Sequence, residues 1–206
     1  MDKRILITGA SGLLGKALVH QFTRKNCFVF AQYFQNRPMD TKNCNWIQAD
    51  FSTFTGIRDF LIENILKFTR CKYLINNYGP ITYKPISELT ADDFYFDFFH
   101  NVITAFEITD FFIKHTDLQC IVNIGFEDVG MIRPYKKILT YAMAKNALKL
   151  VTESFDAKYK NLRFHMVSPN TIEGAKIKSG KGEKVSPQSV AREIYEILMR
   201  NPPDSG

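Results

Sequence analysis

"ILITGASGLLG", residues 5–15, passes from an apolar, β-branched run into three glycines spaced at intervals of three, Gly9, Gly12 and Gly15. The residues that follow change period. Leu14, Ala17, Leu18 and Phe22 fall on one face of a helix spanning 12–25. Glycine permits a tight turn and a close approach of backbone to ligand, and a helix N-terminus offers free N–H groups at the positive end of its dipole. Glycines alone are ordinary turn residues. Between a first strand and an amphipathic helix they point to a bound dinucleotide, with Gly9, Ser11, Gly12, Leu13 and Leu14 as the contacts.

Outward from this turn, the pattern repeats. Short aliphatic runs at Arg4–Thr8, Cys27–Tyr33, Asn45–Gln48, Tyr73–Asn76, Cys120–Ile124 and Leu162–Val167 read as strands. Helical segments lie between them, the longest at 140–158, where Tyr141, Ala144, Leu148, Val151 and Phe155 share a face. Strands alternating with helices, without hairpin signals, imply parallel βαβ crossovers. The expected fold is α/β: one Rossmann-type, doubly wound parallel sheet with helices on both faces, in a single dinucleotide-binding domain over residues 1–206. After "SPNTIEGAKIKSGKGEKVSPQSVAREIYEILMRN" only "PPDSG" remains, so the last strand is expected to be absent or very short. Ligands in such sheets sit beyond the carboxyl ends of the strands, where the winding reverses.

Composition narrows the function. The net charge of +6 is carried by scattered Lys and Arg, in no run longer than two, which argues for a solvated basic surface rather than a nucleic-acid interface. Cys27, Cys44, Cys71 and Cys120 are too far apart for the close pairs of a zinc or redox site, so reduced structural thiols and no metal are expected. The step from "MDKR" straight into a strand leaves no room for a signal peptide, and no apolar run reaches membrane-spanning length. A cytoplasmic protein acting on a small molecule is expected.

Chemistry-bearing residues cluster just after the strands. An NAD-preferring site has an acid at the end of the second strand, for the ribose 2′-hydroxyl. Here that stretch reads "AQYFQNRPMD", with no acid before Asp40, whereas Asn36 and Arg37 suit a 2′-phosphate; NADP is the expected cofactor. The other reading of Arg37 is an exposed loop charge. Tyr141 and Lys145 are one helical turn apart. A free phenol has a pKa near 10, and a neighbouring ammonium favours its charged form. No Ser or Thr occurs from Ile121 to Leu139, but Glu127 and Asp128 form an acidic couple there.

Taken in order, these motifs resemble the short-chain dehydrogenase/reductase superfamily over nearly the whole chain. The resemblance implies that Asp50 and the backbone at Phe51, in "QADF", meet the adenine. Asn77, Tyr78 and Gly79 stand in "NNYG", similar to the family's Asn-Asn-Ala-Gly turn after strand four. Asn101 falls where the family places an asparagine supporting a proton-relay water. "YAMAK" matches its Tyr-x-x-x-Lys pair, making Tyr141 the proton donor and Lys145 its support and ribose contact. "SPNTI" resembles its Pro-Gly loop beside the nicotinamide, through Pro169, Thr171 and Ile172. Symmetric pairing of the helices near 97–114 and 140–158 into a homodimer or homotetramer is also implied.

One position departs from the pattern. The family's serine lies thirteen residues before the tyrosine, and the residue there is Asp128. The pteridine and dihydromonapterin reductase branch also carries aspartate at this place, which implies a pterin-like substrate whose ring nitrogen takes a proton relayed by Asp128. A carboxylate would repel the oxyanion of an ordinary ketone. The alternatives are a reductase or epimerase of another carbonyl or sugar nucleotide, suggested by the glycine spacing, and a non-catalytic dinucleotide-binding protein. For Asp128 itself, the other reading is an ion pair within its own loop, to Arg133 or Lys136.

Overall fold

The computed structural model describes residues 3–128, 130, 131, 133–175 and 183–200. Six strands, β1 (Arg4–Ile7), β2 (Phe28–Tyr33), β3 (Cys44–Gln48), β4 (Cys71–Asn76), β5 (Cys120–Ile124) and β6 (Arg163–Val167), form one sheet in the order β3-β2-β1-β4-β5-β6. Every adjacent pair is parallel. The helices are α1 (Leu13–Arg24), α2 (Phe54–Glu63), α3 (Ile65–Phe68), α4 (Ala91–Phe98), α5 (Thr104–His115), α6 (Leu139–Lys158) and α7 (Pro187–Met199). A π-helical turn, Phe99–Ile103, joins α4 to α5.

Strand alternation explains the two cores. Ile5 and Ile7 of β1, with Val29, Ala31, Tyr73, Ile75, Cys120 and Val122, face α1 and α7; Leu14, Leu18, Phe22, Ile194 and Leu198 cover them. The intervening residues Leu6, Phe30, Leu74 and Ile121 face the other way, against Phe60, Phe68, Ile108 and Phe112. A strand buried on both faces reads as a nearly continuous apolar run, and β5 is buried at all five positions, its one polar side chain, Asn123, bonded to Asn76 and Thr152. This is the doubly wound arrangement expected from the sequence. No strand follows β6 among the described residues, although Ile172 and Val185 form an isolated parallel bridge. The tail "PPDSG", on which the expectation of a missing last strand rested, lies outside the described residues.

Winding reverses between β1 and β4. The loops leaving those two strands are locked together through two side chains, Thr8 and Asn77. Thr8 Oγ1 accepts bonds from the backbone N–H of Asn77 and of Tyr78, each at 3.0 Å. Asn77 Nδ2 donates to Thr8 O at 3.1 Å and to Gly9 O at 3.0 Å. Gln32, buried in β2, adds a third strand: its Oε1 accepts from Gly9 N at 2.8 Å and its Nε2 donates to Ala49 O at 2.8 Å. The close contact between turn and helix requires glycine at position 15, where a Cβ would lie 2.3 Å from Gly9 O and 2.6 Å from Ala10 Cα.

Candidate active site

Two cavities meet over the β1–β4 switch. The first, about 350 Å³, is lined by Gly9, Ser11, Gly12, Leu13 and Leu14 of the glycine turn, by Gln32, Tyr33 and Phe34 at the end of β2, and by Asn77–Pro80. The second, about 230 Å³, shares Leu14, Asn77 and Gly79 with it and adds Tyr141, Lys145, Phe126, Glu127, Pro169, Thr171 and Ile172. The cofactor contacts expected in the glycine turn, the "NNYG" turn and the "SPNTI" loop therefore converge with the tyrosine–lysine pair.

The first cavity suits a phosphate. α1 begins at Gly12, which makes no side-chain cap, and its first turn holds no acid. Its initial N–H groups thus keep their partial positive charge for an anion. At the far end of this cavity Asn36 and Arg37 are not in the lining, and Arg37 Nη2 lies 2.6 Å from Asp40 Oδ1 in an exposed pair. Asp50 also stands outside the lining, with Oδ1 accepting from Ser52 N at 2.8 Å. Phe51 is buried under Tyr78, ring centroids 5.5 Å apart. Tyr78, the departure from the family's small residue, has room because its hydroxyl reaches His100 Nδ1 at 2.9 Å.

At the second cavity, α6 presents Tyr141 and Lys145 one turn apart. Lys145 Nζ donates to Ile124 O at 2.7 Å and stands 5.6 Å from the Tyr141 ring centroid. Burial, opposed by the charge of Asp97, lowers the Lys145 ammonium to about 7. Burial, reinforced by Asp97, raises the Tyr141 phenol above its ordinary value. Asn101 lies behind Gly79 on the π-helical turn. Its Nδ2 donates to Pro80 O and Asp97 O, each at 3.0 Å, while its buried Oδ1 has no partner among the described residues. A Cβ on Gly79 would come within 2.4 Å of that Oδ1 and 3.1 Å of Lys145 Nζ, so only glycine leaves this approach open.

Asp128 is not brought to this cavity. It is buried in an ion pair with Arg133 and lines a neighbouring cavity of about 330 Å³ with Tyr83, Tyr135, Lys136 and Lys137. Within that loop Phe126, whose ring centroid is 5.6 Å from that of Tyr141, and Glu127 line both cavities. A fixed count back from the tyrosine selects Asp128, but the chain turns at this point and Met131 N bonds Asp128 O at 2.9 Å.

The sequence reading also missed Gln32, Asp97 and His100. Each carried a signal: a polar side chain inside an otherwise apolar strand or aromatic helix. Among the described residues, no group of three His, Cys, Asp or Glu could hold a metal, and no helix is long and apolar enough to cross a membrane.

The model of the short chain dehydrogenase family matches residues 3–185. The chain belongs to that family. Among curated proteins it is similar to a tropinone reductase homolog of Arabidopsis thaliana, 22% identical over 84% of this chain and 73% of that one. It is also similar to a 3-amino-tetrahydro-pyrrolizinone reductase of Xenorhabdus hominickii, 28% identical over 82% of this chain and 62% of that one. A solved structure of 4-hydroxyisoleucine dehydrogenase complexed with NADH superposes with a TM-score of 0.83, at 22% identity, over 96% of this chain and 91% of its own. Short-chain dehydrogenases use a nicotinamide dinucleotide, and the uncapped start of α1 and the joined cavities fit one.

Proposed function

We propose that this short-chain dehydrogenase is an NADPH-dependent reductase of an unsaturated nitrogen heterocycle, with a dihydropteridine as the leading substrate. The observation that carries the reading is the convergence of Tyr141 and Lys145 on a cavity continuous with the glycine turn. Gly9, Gly12, the start of α1 and Lys145 would hold a nicotinamide dinucleotide, which would supply the hydride. Tyr141 gives a proton to the substrate. Lys145 stabilises the phenolate left behind, and Asn101, with its unpartnered Oδ1 beside Lys145, holds the water that returns the proton.

Glu127 supports this substrate class. A carboxylate in the cavity disfavours an oxyanion and favours a ring nitrogen that is protonated as hydride reaches the adjacent carbon. The role foreseen for Asp128 is therefore assigned to Glu127, because Asp128 is engaged by Arg133. The name of one relative, an amino-pyrrolizinone reductase, is that of an enzyme acting on a nitrogen heterocycle. NADPH is preferred because no acid lines the end of β2, and the Arg37–Asp40 pair is exposed and so readily exchanged for a phosphate. Homo-oligomerisation through α4, α5 and α6 belongs to the same proposal.

NADPH oxidation with dihydrobiopterin, dihydromonapterin, dihydrofolate and simple ketones tests it. Turnover with a dihydropteridine, reduced roughly 10²-fold or more in Tyr141→Phe, is expected. Turnover of ketones alone would exclude the heterocycle, and NADH binding as tightly as NADPH would exclude the Arg37 assignment.

A further inference from the structure

Asp97 is fully buried near the end of α4, within the aromatic run Phe94–His100. Its carboxylate spans two other segments of the site. Oδ1 accepts from Thr82 N at 3.1 Å, in the loop after β4, and Oδ2 accepts from Thr140 Oγ1 in the first turn of α6. Its backbone carbonyl takes the Asn101 Nδ2 bond at 3.0 Å. Thr140 immediately precedes Tyr141. Asp97 therefore ties the start of α6 to the loop after β4 through its side chain, and holds Asn101 through its backbone.

All three partners are neutral. A carboxylate removed from water needs a cation as well as hydrogen bonds. Lys145, 3% exposed, has the complementary need, since its ammonium donates to a neutral carbonyl. Asp97 is the buried acid whose charge acts on Lys145. We propose that Asp97 is the positioning residue of the proton-transfer machinery, holding the Thr140–Tyr141 turn through its carboxylate and keeping Lys145 cationic from behind the cavity.

The proposal rests on Tyr141 acting as proton donor. The effect of Asp97 on Lys145 runs in the stated direction, upward against burial. The other charged groups around this point are few. His100 sits on the following turn, its imidazole pushed down by burial and pulled up by Asp97. Glu127 lies across the cavity from the loop after β5, and Lys84 pairs with Asp93 at 2.7 Å on α4. Of these only His100 feels the charge of Asp97, whose loss would lower the imidazole further.

Asp97→Asn separates the two parts of the role, because the amide still accepts from Thr82 but carries no charge. Thr140→Val does the reverse, removing a bond and keeping the charge. In Asp97→Asn the alkaline limb of the kcat profile, set by loss of the Lys145 proton, should move down by about one pH unit or more, since an opposite charge nearby shifts a pKa by about 1–3 units. Turnover at pH 8 should fall roughly tenfold, with NADPH affinity nearly unchanged. In Thr140→Val turnover should fall without movement of the limb.

The carbon-13 resonance of the Lys145 side chain, assigned with Lys145→Arg, reads the same shift without any substrate. Equal losses in both variants with no shift in limb or resonance would make Asp97 merely structural and overturn the proposal. Should Asp97→Asn not fold, Asp97→Ser, with room for a water between Thr82 and Thr140, gives the same reading. Full turnover in Tyr141→Phe would instead remove the proposed function, and the Lys145 titration would still judge Asp97.

Discussion

Glu127 and Asp128 are neighbours in sequence with different surroundings. Glu127 borders the cavity that holds Tyr141, whereas Asp128 is buried against Arg133. Their amides should therefore behave differently. Glu127→Gln should lower turnover by roughly 10²-fold with little change in melting, the usual worth of a general acid–base group. Asp128→Asn should cost about 1 kcal/mol of stability by releasing a hydrogen bond to a charged partner, and leave the folded enzyme active. Kinetics and thermal melts of the two variants decide; the opposite pattern would return the relay to Asp128. Lys145 yields a second prediction at this scale. Its folded pKa, near 7, lies below the ordinary lysine value of 10.5, so the unfolded chain binds the extra proton between those limits. Its destabilising effect is complete below pH 7 and is relieved as pH rises. The stability difference between wild type and Lys145→Met, measured without cofactor, should therefore shift in favour of wild type from pH 7 to 10. A flat difference would mean that Lys145 is not held at a depressed pKa.

At the scale of elements, the hub formed by Thr8 makes the cofactor turn rigid. Thr8→Val keeps the shape of the side chain but removes the acceptor for Asn77 N and Tyr78 N. Leaving two largely enclosed N–H groups unpaired should cost about 1–3 kcal/mol each. Denaturant titration measures that loss, and NADPH affinity should fall with it because the "NNYG" turn borders both cavities; an unchanged midpoint would sink the hub. The strands themselves were legible because burial on both faces demands apolar runs. The Cys120–Ile124 run coincides with β5, and Asn45–Gln48 falls one residue short of β3. Helix periodicity located α1 and α6 to within one residue. Other features were not legible, for reasons of geometry. The π-helical turn depends on how Asn101 and Thr104 bond backbone carbonyls, and Thr104 Oγ1 reaches Phe99 O, five residues back, at 3.0 Å. Arg37 reads as a free cation until the loop brings Asp40 to it. Which acid of the 127–128 couple borders the cavity of Tyr141 depends on a turn that spacing cannot encode.

The helices that carry the chemistry also carry a group of exposed apolar side chains. α4 and α6 carry Asp97, Tyr141 and Lys145 inward. On their outer surfaces Tyr95 and Leu150 are each 66% exposed, with Met143 and Phe96 about half-exposed, and Phe106 of α5 stacks on Phe155 at 5.6 Å. Scattered apolar residues are ordinary on a protein surface, but apolar side chains concentrated on adjacent helices mark an interaction surface. A symmetric pairing would bring each such residue against the same surface of a second copy, which needs no other partner. The proposed assembly then predicts a mass in solution of at least twice the 23.8 kDa of one chain. Tyr95→Glu and Leu150→Glu together should return it to a monomer. Both side chains face outward, so circular dichroism should show the fold intact. Because the paired helices also hold Tyr141 and Lys145, turnover should fall with dissociation more than cofactor affinity, which depends on α1 and the β1–β4 turns. Light scattering at micromolar concentration, with kinetics on the same samples, tests both parts. A monomeric wild type would remove the assembly, and a fully active monomeric variant would show that the helices position the site without a partner.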